Sequence, residues 1–216
     1  MTYRELLLGC GYRRERMIDP YTLMPRPTDL AEDDRWKNVT AVDYNPLCKP
    51  DYIMDLEKGL ITWLPLKTDV AHPDPELFYE PVKTDYVQYF QLRSSLYDEV
   101  HAYEVLEHLG QQGDAQAFFR HFDEIHRVLK PGGVLCASVP SRYSVWLWGD
   151  PGHRRAILPA SLMFLHRPHY DSVLGKGPSS DYRAMILGDW DIIYTHDNEE
   201  FHNFVLQAVK PARCVP

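Results

Sequence analysis

"AQAFFRHFDEIHRVLKPGGVLCASVP", residues 115–140, is the stretch on which the fold turns. Phe118, Phe119, Phe122, Ile125, Val128 and Leu129 recur at three- and four-residue spacing, which places them on one face of a helix. Lys130-Pro131-Gly132-Gly133 then stops that helix and turns the chain, with a glycine available for a left-handed cap. Val134 to Val139 follows as a short, unbroken apolar run, the pattern of a strand buried on both faces of a parallel sheet. A similar run, Glu99 to Tyr103, precedes the helix, so the stretch completes a βαβ unit with a right-handed crossover.

Upstream, Glu5 to Leu8, Val39 to Val42 and Tyr52 to Met54 are further short strands, each edged by Gly, Pro or Asp. Downstream, Trp190 to Thr195 and Phe201 to Val209 are β-rich runs separated by Asp197-Asn198-Glu199-Glu200, a hairpin pattern. The expected fold is α/β: a Rossmann-like, doubly wound, mostly parallel sheet ending in an antiparallel hairpin, with residues 1–216 as one domain. Three insertions interrupt it. Residues 19–38 are broken by Pro20, Pro25 and Pro27, so the long helix expected after the first strand is missing or much shortened. Residues 65–96 are rich in Pro and Tyr, and residues 141–188 carry many aromatic and basic side chains. Long irregular segments in a compact domain are usually functional covers, so the last two are expected to build the substrate side of a site.

Bulk properties narrow the function. The 216 residues, 44% hydrophobic and 12% aromatic, suffice for one good core. A formal net charge of −8 disfavours a nonspecific nucleic-acid grip, which needs a basic face. No apolar run approaches the roughly 18–20 residues of a membrane span, and the first strand begins too near Met1 for a signal peptide, so a cytoplasmic protein without a membrane partner is expected. Cys10, Cys48, Cys136 and Cys214 are widely spaced without a CxxC pair, the pattern of free thiols.

Gly9-Cys10-Gly11 follows the first strand, and glycine lets backbone N–H groups approach a ligand closely. The third glycine of a dinucleotide fingerprint is replaced by Arg14, which argues against a pyrophosphate resting on a helix N-terminus. Asp43 ends the second strand, where a carboxylate can accept hydrogen bonds from ribose hydroxyls; its alternative role is a turn residue in Asp-Tyr-Asn-Pro. Asp55 ends the third strand, placed to accept from an adenine amino group or to cap the segment after it. Tyr103 and Glu104 end the fourth.

These segments in this order resemble the class I S-adenosylmethionine-dependent methyltransferases, especially their branch with "EVLEHL" and "RVLKPGG", here residues 104–109 and 127–133. The resemblance covers residues 4–140 with gaps, and the terminal hairpin matches the family's reversed last strand. It implies S-adenosyl-L-methionine as cofactor, a ligand with no pyrophosphate to cradle. Gly9, Cys10 and Gly11 would meet its amino-acid part, Asp43 the ribose, with Tyr44 packing beside the adenine, and Asp55 and Leu56 the adenine edge and backbone. Tyr103 and Glu104 would sit beside the transferable methyl. Asp43 stands further from the glycines than the roughly 20 residues usual in dinucleotide folds, so residues 19–38 must loop out.

Methyl transfer is an in-line displacement, and the protein's share is alignment, water exclusion and, where needed, a base. The candidates are Glu104, His108 and His153, with Tyr143 beside them. His108 has a plainer reading as a helix-start residue bonded to backbone, and His153 as a histidine satisfied within a loop. His153 belongs to "WGDPGHRR", residues 148–155, where Asp150-Pro151-Gly152 is a turn that would display His153, Arg154 and Arg155 over the end of the sheet. His166 and His169 flank Pro168 without an evident third ligand, so no metal site is expected there. No Asn/Asp-Pro-Pro-Tyr/Phe stretch follows the fourth strand, and Cys136 lies mid-strand without a preceding proline, so the patterns of DNA-base methylation are missing. The expected acceptor is a small molecule or an accessible polar group. The alternative is an inactive cofactor-binding interaction module, suggested by the shortened first helix; Arg14 and the tail hairpin disfavour a nicotinamide oxidoreductase.

Overall fold

β1 (Glu5–Leu8), β2 (Val39–Asp43), β3 (Tyr52–Ile53), β4 (Tyr97–Tyr103) and β5 (Leu129–Pro140) run parallel in one sheet. With β6 (Trp190–Asp197) and β7 (Phe201–Ala208) the order is β6-β7-β5-β4-β1-β2-β3. β7 lies between β5 and β6 and is antiparallel to both, so it alone is reversed. The mostly parallel sheet with its terminal hairpin is therefore as expected from sequence. The computed structural model describes residues 2–213 except 13, 15, 22, 26–35, 66–73, 80, 81, 84–86, 175, 177 and 178. Pro27, Cys214 and parts of the 19–38 and 65–96 insertions lie outside the described residues; Cys10, Cys48 and Cys136 are free thiols.

One face of the sheet carries the main core. Leu6, Leu8, Val42, Val100, Ala102, Leu135 and Ala137 pack there against Phe119, Phe122, Ile125 and Val128 of α1 (Ala115–Val128). The Asp114 carboxylate caps α1 by accepting the Ala117 N–H at 2.9 Å. The helix does not end on a glycine cap. Leu129 is already extended and pairs with Tyr97, and Gly132, at φ +77°, sits in the irregularity between Leu129 and Val134 where the β4–β5 register shifts. The glycine turn thus serves the sheet, because strand pairing starts before the glycines are reached.

No α-helix among the described residues joins the apolar clusters of the opposite face. That face presents Glu5 and Glu99, register partners on β1 and β4, both buried. Arg16 lies between them, its guanidinium bonded to Glu99 Oε2 and 3.4 Å from Glu5 Oε1. Glu5 also accepts the N–H groups of Lys37 and Asn38 (2.7 and 2.9 Å), and His101 Nε2 lies 2.8 Å from Glu99 Oε2. Trp36 meets the His101 ring edge-on at 4.9 Å and donates to the Arg14 carbonyl at 2.8 Å. A buried ionic cluster therefore holds Trp36, Lys37 and Asn38, the described end of the proline-interrupted segment, against the sheet.

The insertions are more regular than their sequences suggest. Residues 141–188 hold α2 (Trp146–Gly149), α3 (Pro159–Leu162) and α4 (Arg167–Val173), and Ile157, Leu162 and Leu165 extend the main core. The 65–96 region, with Ile61–Pro65, contributes to a separate three-stranded antiparallel sheet, and Phe78, Phe90 and Leu92 join the core. No helix among the described residues is long and apolar enough to cross a membrane.

Arg16→Ala leaves two buried carboxylates without their cation and is expected to cost about 3–5 kcal/mol, read from urea unfolding. His126, buried on α1 against Trp190 with ring centroids 5.1 Å apart, has its imidazole pKa pushed down to about 4 by desolvation. The unfolded chain binds that proton near the ordinary pH of about 6.5, so stability falls as pH drops from there towards 4. His126→Gln is expected to flatten that fall in thermal melts across pH 7 to 4.5.

Candidate functional site

The carboxyl ends of the strands converge where the chain, after leaving β1 towards β2 and β3, returns to its other side as β4. Open α/β sheets bind ligands at this switch point. Gly9 takes φ +60°, and a Cβ added to it would stand 2.5 Å from Val105 Cγ2. Gly11 takes φ +52°, and its N–H donates to Asp43 Oδ2 at 2.9 Å. Asn45 N–H donates to Asp43 Oδ1 at 2.8 Å. Asp43 is thus buried and oriented, and each carboxylate oxygen keeps further accepting capacity.

A cavity of about 450 Å³ opens here, within the usual small-molecule range of about 300–1,000 Å³. Gly9, Gly11, Asp43, Tyr44, Asp55, Leu56 and Glu104 line it. Asp55 also accepts the Glu57 N–H at 3.2 Å, so its cap role is real as well. Arg14 is drawn away, paired with Asp51 at 3.2 Å and bonded to the Lys49 carbonyl.

Two of the sequence-predicted residues point elsewhere. Tyr103 shares the parity of Glu99 and His101 on β4; its hydroxyl accepts the Ile18 N–H at 3.1 Å and lies 2.6 Å from His101 Nδ1, on the sheet face away from the cavity. The side chain of Cys10 is buried with Leu7 and Ala41 on that same face. Alternation along β4 accounts for Tyr103, whereas Cys10 shares the parity of Leu6 and Leu8 and reaches the other face because the left-handed backbone at Gly9 breaks the alternation.

Beyond Glu104 lies a second cavity of about 860 Å³. Glu104 and His108 line both. The second is otherwise walled by β5 and the region after it, including Pro140, Tyr143, Trp146, Asp150 and His153, and by Glu199, Glu200 and Phe201 of the hairpin turn. No described residue of 65–96 lines either cavity, contrary to expectation, because its apolar side chains are spent in the core. Glu104 adopts φ +52°, strained for a residue with a Cβ, and accepts from Ser138 Oγ at 2.9 Å. Burial pushes its carboxyl above the ordinary range, against the opposing pull of that hydroxyl and of His153.

His108 closes a single helical turn, Leu106–His108, and its Nδ1 meets the Gly152 carbonyl at 2.9 Å. Residues 148–155 stand at the strand ends, Asp150 and His153 lining the second cavity and Arg154 the first. They dock on this turn, with the Arg154 and Arg155 N–H groups donating to the Glu107 carbonyl at 2.9 and 3.1 Å. Arg155 is buried against the Gln111 and Asp114 carbonyls, and Arg154 pairs with Glu57. His153 is turned inward, its Nε2 3.8 Å from Glu107 Oε1, and the His108 and His153 rings meet edge-on at 4.7 Å.

Sequence reasoning missed Glu107. Neither of its carboxylate oxygens has a hydrogen-bond partner on another described residue, and burial, with Glu104 and Asp150 near, pushes its pKa up to about 8. Ionised and unpaired at such depth, a carboxylate costs several kcal/mol. Glu107, His108 and His153 each bring a metal-ligating atom within 4.8 Å of the others. The only sequence signal was the Glu-His adjacency itself. Elsewhere, His166 Nδ1 is held by the Trp190 carbonyl at 2.8 Å and lies 3.4 Å from Asp191 Oδ1.

A family model described as a methyltransferase domain matches residues 26–137, more than half of the chain. The chain belongs to the class I S-adenosylmethionine-dependent methyltransferases. Its cofactor is S-adenosyl-L-methionine. No curated protein sequence matches this methyltransferase. Among solved structures it is similar to a SAM-dependent methyltransferase from Archaeoglobus fulgidus (TM-score 0.46, 13% identity, 95% of this chain and 86% of that one). It is similar also to one from Mesorhizobium loti (TM-score 0.48, 12% identity, 94% and 90%). A third is the N-methyltransferase NodS from Bradyrhizobium japonicum in complex with S-adenosyl-L-homocysteine (TM-score 0.41, 13% identity, 95% and 78%).

Gly9→Ala forces a methyl against the stiff Val105 side chain at a left-handed position, a strain of about 1–3 kcal/mol. Thermal melting is expected to drop by roughly 2–4 °C per kcal/mol, with S-adenosylhomocysteine affinity falling in calorimetry.

Proposed function

We propose that this methyltransferase binds its cofactor in the 450 Å³ cavity and methylates a small molecule, or an accessible polar group, held in the 860 Å³ cavity. The observation that carries the reading is the shared wall: Glu104 and His108 stand where the two cavities meet. A donor and an acceptor seated on either side of those residues face one another, the geometry an in-line displacement requires.

When bound, S-adenosyl-L-methionine supplies an electrophilic methyl on a sulfonium. Gly11, with open space where a Cβ would stand, leaves room for its amino-acid part beside Gly9, and Asp43 offers its remaining lone pairs to the ribose hydroxyls. Asp55, Leu56 and Tyr44, which line the same cavity, would hold the adenine. The acceptor's lone pair forms the new bond to carbon as the sulfur–carbon pair returns to sulfur. Glu104, with its pKa raised by burial, takes the acceptor's proton. Tyr143, Trp146 and Phe201 give the acceptor aromatic surface and shield the reacting atoms from water. Fitting residues in both cavities favour transfer over the inactive-module reading.

Asp43→Asn keeps size while removing the charge that strengthens ribose hydrogen bonds, each worth about 1.5–3 kcal/mol. S-adenosylhomocysteine is expected to bind about 10-fold more weakly or worse by calorimetry; unchanged affinity would displace Asp43 from the site. Incubating the protein with methyl-labelled cofactor and fractionated metabolites is expected to move label into a small product. Cofactor binding with label transferred to nothing would leave the interaction-module reading instead.

A further inference from the structure

We propose that Glu107, His108 and His153 form a binding site for a divalent transition-metal ion on the floor of the acceptor cavity, and that the acceptor presents a hydroxyl oxygen to that ion. Glu107 is fully buried, with both carboxylate oxygens unpartnered by other described residues. A buried carboxylate is ordinarily paired or bound to a metal, and the two histidines bring ligating nitrogens within 4.8 Å of it. The His153 ring is itself largely buried, its Nδ1 without a partner and its Nε2 3.8 Å from Glu107 Oε1 and 3.9 Å from Asp150 Oδ2.

His108 is oriented as a ligand. With Nδ1–H donated to the Gly152 carbonyl at 2.9 Å, its Nε2 keeps a free lone pair, the tautomer that backbone carbonyls impose on metal-binding histidines. The three ligating atoms lie within 4.8 Å of one another. Metal bonds of about 2.0–2.2 Å put two ligands of one ion at most about 4.4 Å apart, so small side-chain rotations bring all three onto a single ion. Two imidazoles and one carboxylate select a transition metal over magnesium or calcium, which prefer oxygen donors. The docking of residues 148–155 on the turn of residues 106–108 fixes this geometry, since the Glu107 carbonyl receives two N–H groups from that same loop.

Three protein ligands leave coordination positions open, and His108, His153 and Asp150 all line the acceptor cavity. An acceptor hydroxyl bound there would lose its proton more readily, as water does on a bound metal. The proton passes by way of Glu104 to water in the open cavity. The oxygen then forms its bond to the methyl carbon as the carbon–sulfur bond breaks, with that electron pair left on sulfur. This acceptor half rests on the proposed transfer; metal binding does not.

The test strips the full-length protein with chelator and titrates it with Zn2+ by calorimetry and with Co2+ by visible d–d absorption, measuring S-adenosylhomocysteine binding in parallel. One equivalent is expected to bind, with Glu107→Gln and His153→Asn each weakening it by about 10-fold or more, and exposed His196→Ala leaving it unchanged. Should Glu107→Gln fail to fold, His153→Asn and the Co2+ spectrum still decide. No stoichiometric binding, or equal binding by the wild type and both site variants, overturns the proposal even where S-adenosylhomocysteine binds. Metal binding without any methyl transfer upholds the site and overturns the transfer reading. Metal-stimulated transfer only to acceptors lacking a hydroxyl overturns the oxygen assignment.

Discussion

Arg16, held between Glu5 and Glu99, is the constraint on which the cofactor side of this molecule depends. A parallel sheet needs both faces covered, and the proline-interrupted segment after β1 provides no helix for one of them among the described residues. A guanidinium bonded to paired carboxylates on the two central strands does that work instead, with Trp36 and the Lys37 and Asn38 backbone drawn into the same cluster. The segment then rejoins the sheet at β2 in the register that sets Asp43 beside Gly11. A buried ionic cluster of this kind contributes less net stability than apolar packing of the same volume, yet its loss leaves charges stranded, so it acts mainly as a specifier of position.

On the other side of the switch point the organising contact is local. The turn of residues 106–108 receives the loop of residues 148–155 through backbone bonds to Glu107, while Arg155 reaches beneath it to the Gln111 and Asp114 carbonyls. One docking event buries Glu107, orients His108 and turns His153 inward. It also sets the wall that the two cavities share. The hairpin turn at Glu199 and Glu200 closes the far rim, and that turn is ordered by Asn198, whose side chain accepts the N–H groups of Glu200 and Phe201. Recognition of the acceptor is thereby divided among elements far apart in the chain.

Much of this was legible in the chain. Unbroken apolar runs named the parallel strands, the phenylalanine spacing named α1, and glycines followed by Asp43 marked the cavity at the strand ends. Where reading failed, the reason was usually parity or partnership. Tyr103 ends the right strand but faces the wrong side, and its shared parity with Glu99 was the available signal. Residues 65–96 looked like a cover because of their composition, but Phe78, Phe90 and Leu92 are drawn into the core. Glu107 carries no local mark of its burial in the sequence.

By itself the sequence determined the period-two and helical patterns, hence the α/β sheet, its reversed final strand and the position of the glycine turn, because those follow from local spacing of apolar side chains. Only the tertiary structure decided which charged groups are buried together. Glu5 with Glu99 and Arg16, and Glu107 with His108 and His153, are assembled from segments tens of residues apart, and burial and partnership are properties of the packed chain that no local pattern records.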